Sequence, residues 1–323
     1  MSDYYLVDIS KEMASEPIRK GFGRGLLAAG KLDTRVVAAC ADLTDSTQMG
    51  LFRAEFPERF VEVGVAEQNL VTVGAGLAAG GKIPFVSSYA AFSPGRNWEQ
   101  IRTTICLNDR PVKVVGSHAG VSVGPDGATH QMLEDIALMR VLPNMVVIVP
   151  GDSVEAEKAT LAMARDGRPN YLRLAREATP IFTTAKTPFE IGKAYVYEPG
   201  VDVTIIATGT LTYQALKAAA LLYKDGIEAE IIHVPTIKPL DAATILKSVR
   251  KTKCVVTAEE GQIIGGLGGA VAELLAENCP AYLKRIGMQD RFGESGEPAE
   301  LYTHFGLDAE HIRLAAHEVT AKK

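Results

Sequence analysis

The alternation of short apolar strands with helical segments along nearly the whole chain most constrains its fold. Strand patterns such as 84–88 and 112–116 are separated by helical patterns such as 97–107 and 153–165. Parallel strands need a crossover of about a dozen residues, usually a helix, so this spacing predicts βαβ units. We therefore predict an α/β fold with two mainly parallel sheets, each flanked by helices.

One interruption of this alternation predicts a domain boundary. Residues 177–199 have no clear period and carry three prolines, Pro180, Pro188 and Pro199, which is typical of a linker. We expect a first domain over residues 1–176 and a smaller second domain over residues 200–323. A chain of 323 residues is long enough for both domains to bury a core.

Composition and charge argue against several kinds of partner. A net charge of -5 argues against nucleic acid, and the chain has no run of about 18 apolar residues, so we expect no membrane span. The four cysteines lie far apart without a CxxC motif, which indicates core thiols in a reducing compartment. The N-terminal stretch has acids where a signal peptide needs bases, so we expect a cytoplasmic protein.

A single glutamate, Glu67, lies where an apolar strand pattern meets a helix of small residues. The strand covers residues 61–63, Gly64 permits a turn, and the helix pattern covers residues 66–80. A carboxylate in so apolar a stretch needs a hydrogen-bond partner, and a sheltered acid suits proton-transfer chemistry. The alternative is a helix-start acid that backbone amides and the helix dipole satisfy.

Two loops that follow predicted strands carry further candidate residues. The loop after 112–116 holds His118, Asp126 and His130 among glycines, and open α/β sheets bind ligands at the carboxyl ends of their strands. These side chains are either functional or simply solvated, and we expect a helix from His130 to Met139. The loop after 84–88 carries Tyr89 and Phe92, which belong to a core or stack on a flat heterocycle.

Glycine clusters at 21–25, 74–80 and 265–269 are better explained by turns and close helix packing than by a dinucleotide site. None of them combines a preceding strand with an acidic residue at the required distance.

Several motifs resemble the C-terminal half of transketolase, a thiamine diphosphate enzyme. They are GVAEQN, YAAF, the SHAG…GPDGATHQ loop and RFGESGEPAELYTHFGL, and together they extend over nearly the whole chain. The resemblance implies a pyrimidine-binding domain followed by a transketolase C-terminal domain. It also implies transfer of a two-carbon ketol unit from a ketose phosphate to an aldose phosphate.

The resemblance implies catalytic and cofactor-binding roles for the matching residues. Glu67 matches the glutamate that hydrogen-bonds the aminopyrimidine ring of the cofactor. Phe92 matches the aromatic residue that stacks on that ring, and Tyr89 lies beside it. His118 and His130 match histidines that bind sugar hydroxyls and help to move protons.

The other matching residues concern the subunit interface and the substrate. Asp42 and Leu43 match a segment that approaches the cofactor across a subunit interface. Asp126 matches an aspartate that reads the configuration of substrate hydroxyls. The positions that match phosphate-binding residues are Arg19, Ser46 and Arg176.

The chain departs from the family pattern in two places. It has no GDG…N signature for magnesium and the diphosphate, so we expect those ligands on a separately encoded N-terminal subunit. The resemblance then implies a split enzyme that is inactive alone and assembles as a heterotetramer. Gly95 stands where the family often has a tyrosine, and Arg96 or Trp98 could fill the gap.

Two other functions remain open at this stage. One is a subunit of a related enzyme, either 1-deoxyxylulose-5-phosphate synthase-like or a 2-oxoacid dehydrogenase beta subunit. The other is a non-catalytic scaffold. His118 and Arg19 favour transketolase over the related enzymes. In the second domain we expect no catalytic residue, a structural His233, and a turn or helix start at Glu259 and Glu260.

Overall fold

The structure is a computed structural model that describes residues 6–323. Residues 1–5, which belong to the predicted first domain and to the N-terminal stretch expected not to be a signal peptide, lie outside the described residues. The strands are β1 (Ser15–Pro17), β2 (Val36–Cys40), β3 (Phe60–Glu62), β4 (Ile83–Tyr89), β5 (Lys113–Ser117), β6 (Val146–Ile148), β7 (Asn170–Arg173), β8 (Ala178–Pro180), β9 (Tyr195–Glu198), β10 (Val203–Ala207), β11 (Ala229–His233), β12 (Thr236–Lys238), β13 (Cys254–Gln262) and β14 (Tyr282–Met288). The α-helices are α1 (Ile18–Leu32), α2 (Gly50–Glu55), α3 (Glu67–Ala79), α4 (Trp98–Gln100), α5 (Asp135–Arg140), α6 (Ser153–Arg165), α7 (Leu211–Lys224), α8 (Ala242–Thr252), α9 (Leu267–Asn278), α10 (Pro298–His304) and α11 (Ala309–Thr320).

The first sheet has seven strands in the order β12-β6-β7-β5-β4-β2-β3. The strands from β6 to β3 in this order all pair in parallel, while β12 runs antiparallel to β6. The predicted α/β fold with mainly parallel sheets is confirmed. Because the strands are parallel, the loops after β3, β2, β4, β5 and β7 all leave from the same edge of the sheet.

The second sheet has five strands in the order β14-β13-β10-β11-β9, with β9 antiparallel at one edge. The predicted linker, 177–199, contains β9 and also β8, which pairs with β1. The domain boundaries remain a prediction.

The two sheets share buried side chains. Strand β12 comes from the C-terminal part of the chain but completes the first sheet. One buried cluster contains Val147 and Val149 near β6 together with Ile206 of β10 and Ile232 of β11. The two sheets are therefore packed against each other through a common core.

Helices α1 and α6 pack closely because the glycine cluster at 21–25 lies inside α1. A Cβ atom added to Gly21 would lie 1.8 Å from the backbone oxygen of Ser153, so only glycine permits this approach. The expected role of the glycine cluster at 21–25 in helix packing is confirmed.

Asp152 caps α6 by accepting a hydrogen bond from the Glu155 amide at 2.9 Å.

Three local predictions need correction. The helix expected from His130 begins instead at Asp135. Residues 127–131 form a turn, because Gly127 adopts φ +71° and its carbonyl oxygen accepts the amides of His130 and Gln131. The helix expected over 97–107 is the short α4 followed by a π-helical turn at Ile101–Cys106. Glu259 and Glu260 lie inside strand β13, not in a turn.

Within residues 6–323, no helix has the length and apolar character that crossing a bilayer requires. Across the same range, no three histidine, cysteine or acidic side chains gather as metal ligands would. All four cysteines are free, and Cys40, Cys106 and Cys254 are buried.

Candidate active site

Most of the predicted site residues follow strands of the first sheet. Glu67 comes after β3, Asp42 after β2, His118 after β5 and Arg176 after β7, while Tyr89 is the last residue of β4. The parallel order therefore brings loops that are far apart in sequence to one edge, as the strand pattern predicts.

His118 is the centre of one cluster. Its side chain is buried at 2% exposure, its backbone has φ +58°, and its ring stacks on Tyr89 with centroids 3.8 Å apart. Arg19 Nη1 lies 2.8 Å from Nε2, and Ser117 Oγ lies 2.8 Å from Nδ1. Because a guanidinium can only donate, Nε2 accepts, and a neutral ring then carries its proton on Nδ1.

The surroundings of His118 keep its imidazole neutral. Burial, followed by the positive charges of Arg19 and Arg176 and a smaller effect of His130, lowers the pKa of His118 to about 3. At neutral pH the ring is therefore a hydrogen-bonding group without charge.

Aromatic rings connect His118 to the next loop. Phe92 lies 6.2 Å from Tyr89 and contacts His130 edge-on, with centroids 5.5 Å apart. Thr129 Oγ1 lies 2.9 Å from Nδ1 of His130, and the His130 ring is half-buried. The half-buried Tyr89 and Phe92 thus border the candidate site, where flat ring faces can receive a flat ligand.

Glu67 is the first residue of α3, and its side chain is only 2% exposed. Arg96 Nη1 donates to Oε2 at 2.8 Å, while Asn97 donates to the backbone oxygen of Glu67 at 2.9 Å. From the part of the chain that the structure describes, no hydrogen bond reaches Oε1 of Glu67. A buried carboxylate thus has one oxygen paired and one oxygen free to accept.

Arg96, which follows Gly95, lies beside the ring of Phe92. Its guanidinium carbon lies 5.0 Å from the centre of the Phe92 ring, whereas the Trp98 indole donates to the Leu138 oxygen. A Cβ atom on Gly95 would lie 2.0 Å from the Ala91 oxygen, so the backbone excludes a larger residue there. Of the two candidates, Arg96 therefore lies at the aromatic ring and Trp98 points elsewhere.

Two arginines concentrate positive charge beside His118. Burial lowers the pKa of Arg19, and the neighbouring charge of Arg176 lowers it further. Arg176 Nη1 donates to the Val123 oxygen at 2.7 Å and lies 3.7 Å from Asp126. Within residues 6–323, the buried Nε of Arg19 has no hydrogen-bond partner. An anionic group would supply the missing acceptor and offset the repulsion.

The loop after β2 lies apart from these contacts. Asp42 is exposed, has φ +59°, and donates its amide to Glu62 at 2.7 Å. Among the described residues, no hydrogen bond, ion pair or ring contact joins Asp42, Leu43 or Ser46 to the His118 and Glu67 clusters.

Sequence reasoning missed the residues that hold the candidate side chains in place. Ser117 bonds His118, and Asn97 bonds both the backbone of Glu67 and the hydroxyl of Ser93. The position of Ser117 next to His118 was a usable signal. Nothing in the sequence pairs Asn97 with a residue 30 positions away.

Comparison with known proteins identifies relatives along nearly the whole chain. Residues 15–181 match the family model of the transketolase pyrimidine binding domain, and residues 192–312 match that of the transketolase C-terminal domain. A putative transketolase C-terminal section of Methanocaldococcus jannaschii is 48% identical over 298 residues, which cover 91% of this chain and 93% of the relative. The 6-deoxy-6-sulfo-D-fructose transketolase subunit SqwH of a Clostridium species is 44% identical over 92% of each chain. A solved structure described as a split gene transketolase, inactive beta4 tetramer, has a TM-score of 0.89 and 42% identity, over 94% of this chain and 98% of the other.

Proposed function

The chain belongs to the transketolase family, and from this we propose that it is the C-terminal subunit of a split transketolase. In this role it transfers a two-carbon ketol unit from a ketose phosphate to an aldose phosphate. One observation carries the proposal: a continuous line of contacts runs from Glu67 through Arg96, Phe92 and the other rings to His118 and Arg19. It combines a buried carboxylate, flat ring faces and an arginine pair at one sheet edge.

Membership of the family implies dependence on thiamine diphosphate, and the residues present fit its aromatic end. Glu67 offers a free, buried carboxylate oxygen, and Phe92 offers a ring face. When bound, thiamine diphosphate supplies a carbon acid whose conjugate base can cleave and form bonds beside a ketone. We assign the binding of the aminopyrimidine to Glu67 and Phe92, with Tyr89 beside them, and a contact across a subunit interface to Asp42 and Leu43.

Glu67 acts as a hydrogen-bond acceptor for the aminopyrimidine ring. Arg96 compensates the charge of the buried carboxylate through Oε2, so Oε1 remains available to a ring N–H. Asn97 fixes the start of α3 by bonding the Glu67 backbone, which limits the positions that the carboxylate can adopt.

His118 and His130 bind the sugar hydroxyls, and Asp126 distinguishes their configuration. We propose that Arg19, Arg176 and Ser46 bind the terminal phosphate. A phosphate at the two arginines would offset their charge and so raise the pKa of His118 above its value in the free chain. We propose that His118 and His130 help to move protons as the ketose carbon–carbon bond breaks.

The anion-binding pair also limits the class of substrate. The relative from Clostridium is named for a sulfonated fructose, and sulfonate and phosphate both present oxygen acceptors to a guanidinium. We propose that Arg19 and Arg176 bind a terminal anionic group of the ketose and so select substrates that carry one.

We propose that a separately encoded N-terminal subunit supplies the ligands for magnesium and the diphosphate. A related chain is described as an inactive beta4 tetramer, which supports the proposal that the C-terminal subunit needs this partner. The active assembly would then be a heterotetramer of two subunits of each kind.

The test combines the purified chain with the N-terminal subunit, thiamine diphosphate and magnesium, and follows ketol transfer between sugar phosphates. We expect activity in the mixture, negligible activity of the chain alone, and loss of activity in Glu67→Gln at an unchanged circular dichroism spectrum. Glu157→Gln removes a half-exposed carboxylate that pairs with Arg24 and serves as the matched control. Near-normal turnover of Glu67→Gln, or full activity of the chain alone, would overturn the proposal.

A further inference from the structure

The loop that carries His118, Asp126 and His130 is held by residues of the second sheet and the segment that follows it. We call residues 117–131 the histidine loop. Glu260 of β13 is only 2% exposed, and its Oε1 accepts the Ser122 amide of the histidine loop at 2.6 Å. Its Oε2 accepts from Thr210 Oγ1 at 2.7 Å and from Tyr302 OH at 3.0 Å. The Glu260 carboxylate thus links the histidine loop to Thr210, just before α7, and to Tyr302 of α10.

The backbone of the histidine loop approaches the Glu260 carboxylate closely at Gly120. Gly120 has φ +90°, and a Cβ atom there would lie 2.3 Å from Oε1 of Glu260. Only glycine therefore permits both the backbone angle and the approach. Movement of the loop away from Glu260 would break the hydrogen bond from the Ser122 amide.

A second contact fixes the far end of the histidine loop. Gln131 Nε2 donates within the loop to the Val121 oxygen at 3.0 Å and across to the Glu294 oxygen at 2.9 Å. A Cβ atom on Gly293 would lie 1.9 Å from Oε1 of Gln131, so this segment packs tightly against the loop. The RFGESGEP stretch, which the proposed chemistry does not use, therefore has a mechanical role here.

The buried Arg173 links strand β7 of the first sheet to strand β13 of the second sheet. Arg173 of β7 donates through Nη2 to the backbone oxygen of Glu260 at 2.7 Å and through Nε to Asp135 Oδ2 at 2.8 Å. Both partners of this ion pair are buried, so its geometry is fixed by its hydrogen bonds. Strand β13 is thereby held at a set distance from the base of the histidine loop.

From these contacts we infer that the second domain positions the substrate side chains, with Glu260 and Gln131 as positioning residues for the histidine loop. The inference rests on the proposed function, because it assigns a purpose to the loop geometry. It also replaces the expectation that Glu260 is a turn or helix-start feature.

The chain offers a matched control in the neighbouring residue. Glu259 is also buried in β13, but it accepts the Leu267 and Gly268 amides at the start of α9 and makes no hydrogen bond to the histidine loop among the described residues. Glu259→Ala therefore removes a buried glutamate of the same strand without releasing the loop. Glu260→Gln is the conservative variant, because its amide oxygen can still accept the Ser122 amide.

The experiment measures amide hydrogen exchange of residues 119–131 in the full chain assembled with its N-terminal partner. Loss of a charge-assisted hydrogen bond should speed exchange of these amides in Glu260→Ala by about tenfold or more. Glu259→Ala should stay within about twofold of the wild type, and Glu260→Gln should fall between the wild type and Glu260→Ala because it keeps a neutral hydrogen bond. The KM for ketose phosphate should rise in Glu260→Ala, while the Kd for thiamine diphosphate stays unchanged because Glu67 lies outside the loop.

Unchanged loop exchange in Glu260→Ala, or an equal acceleration in Glu259→Ala, would overturn the inference. Should Glu260→Ala fail to fold, Gln131→Met tests the loop from its other contact, because it keeps the size of the side chain but loses the bond to Glu294. If the assembled wild type shows no ketol transfer, the proposed function fails, but the exchange comparison still decides whether the second domain holds the loop.

Discussion

Acidification should destabilise the wild-type chain more than a His118→Asn variant, because His118 is buried beside two arginines. Its pKa is about 3 in the folded chain, compared with an ordinary value of 6.5. Between these values the unfolded chain binds a proton at this position and the folded chain does not. The stability due to neutral His118 is therefore fully present above pH 6.5 and is lost as the pH falls toward 3.

The size of the effect follows from the displacement of the pKa. Each pKa unit corresponds to about 1.4 kcal/mol, so the full effect is about 5 kcal/mol and the part lost between pH 7 and pH 5 is about 2 kcal/mol. The side chain is only 2% exposed, so solvent screening does not reduce this value substantially. Asparagine is a suitable replacement because it tolerates φ +58° and does not titrate.

The assay is urea unfolding of both proteins at pH 7 and pH 5. The wild type should lose about 2 kcal/mol more free energy of unfolding than His118→Asn over this interval. Equal losses in the two proteins would refute the reasoning, since they would mean that His118 takes up protons in the folded chain as readily as in the unfolded one.

Two further predictions concern stability. Arg96→Met leaves the buried carboxylate of Glu67 without its partner and should cost about 1 to 3 kcal/mol, less than a fully buried pair because the Arg96 side chain is 53% exposed. A double-mutant cycle with Glu67→Gln in urea unfolding checks this, and zero coupling would contradict it. Gly21→Ala should cost about 1 to 3 kcal/mol in thermal unfolding because its methyl group forces α1 away from Ser153. Gly76→Ala is its control, because a Cβ atom added at Gly76 would have no neighbouring atom within 4 Å. Equal effects of the two substitutions would contradict the packing argument.

The sequence predicts the position of these residues at the sheet edge well, because short-range patterns give the strands, their parallel pairing and the loops that follow them. Glu67 and His118 each come soon after a strand, so a parallel sheet necessarily places both at its carboxyl edge. The period of the apolar residues predicts each strand and the helix that follows it, and the parallel pairing of the strands then places the residues after them at one edge of the sheet.

Long-range partners were not predictable in the same way. Arg96 pairs with Glu67 across 29 positions, and Glu260 bonds Ser122 across 138 positions. No local pattern encodes such pairs, and the charged pair at 259–260 resembles an exposed turn in sequence although both residues are buried. Strand β12 escaped prediction for a related reason, because its partner β6 belongs to the other sheet-forming part of the chain.

The geometry of the candidate site depends on both sheets together. Arg19 of α1 and the ring of Tyr89 at the end of β4 contact His118, whereas the loop that continues from His118 contacts Glu260 and Glu294. A rotation of the second sheet would therefore move the loop while Glu67 and Phe92 stayed fixed on the first. Since Glu67 and Phe92 lie in segments that directly follow strands of the first sheet, such a rotation would alter the distance between cofactor and substrate groups. The shared core and the strand β12 oppose that rotation, which gives the packing between the sheets a direct effect on the proposed chemistry.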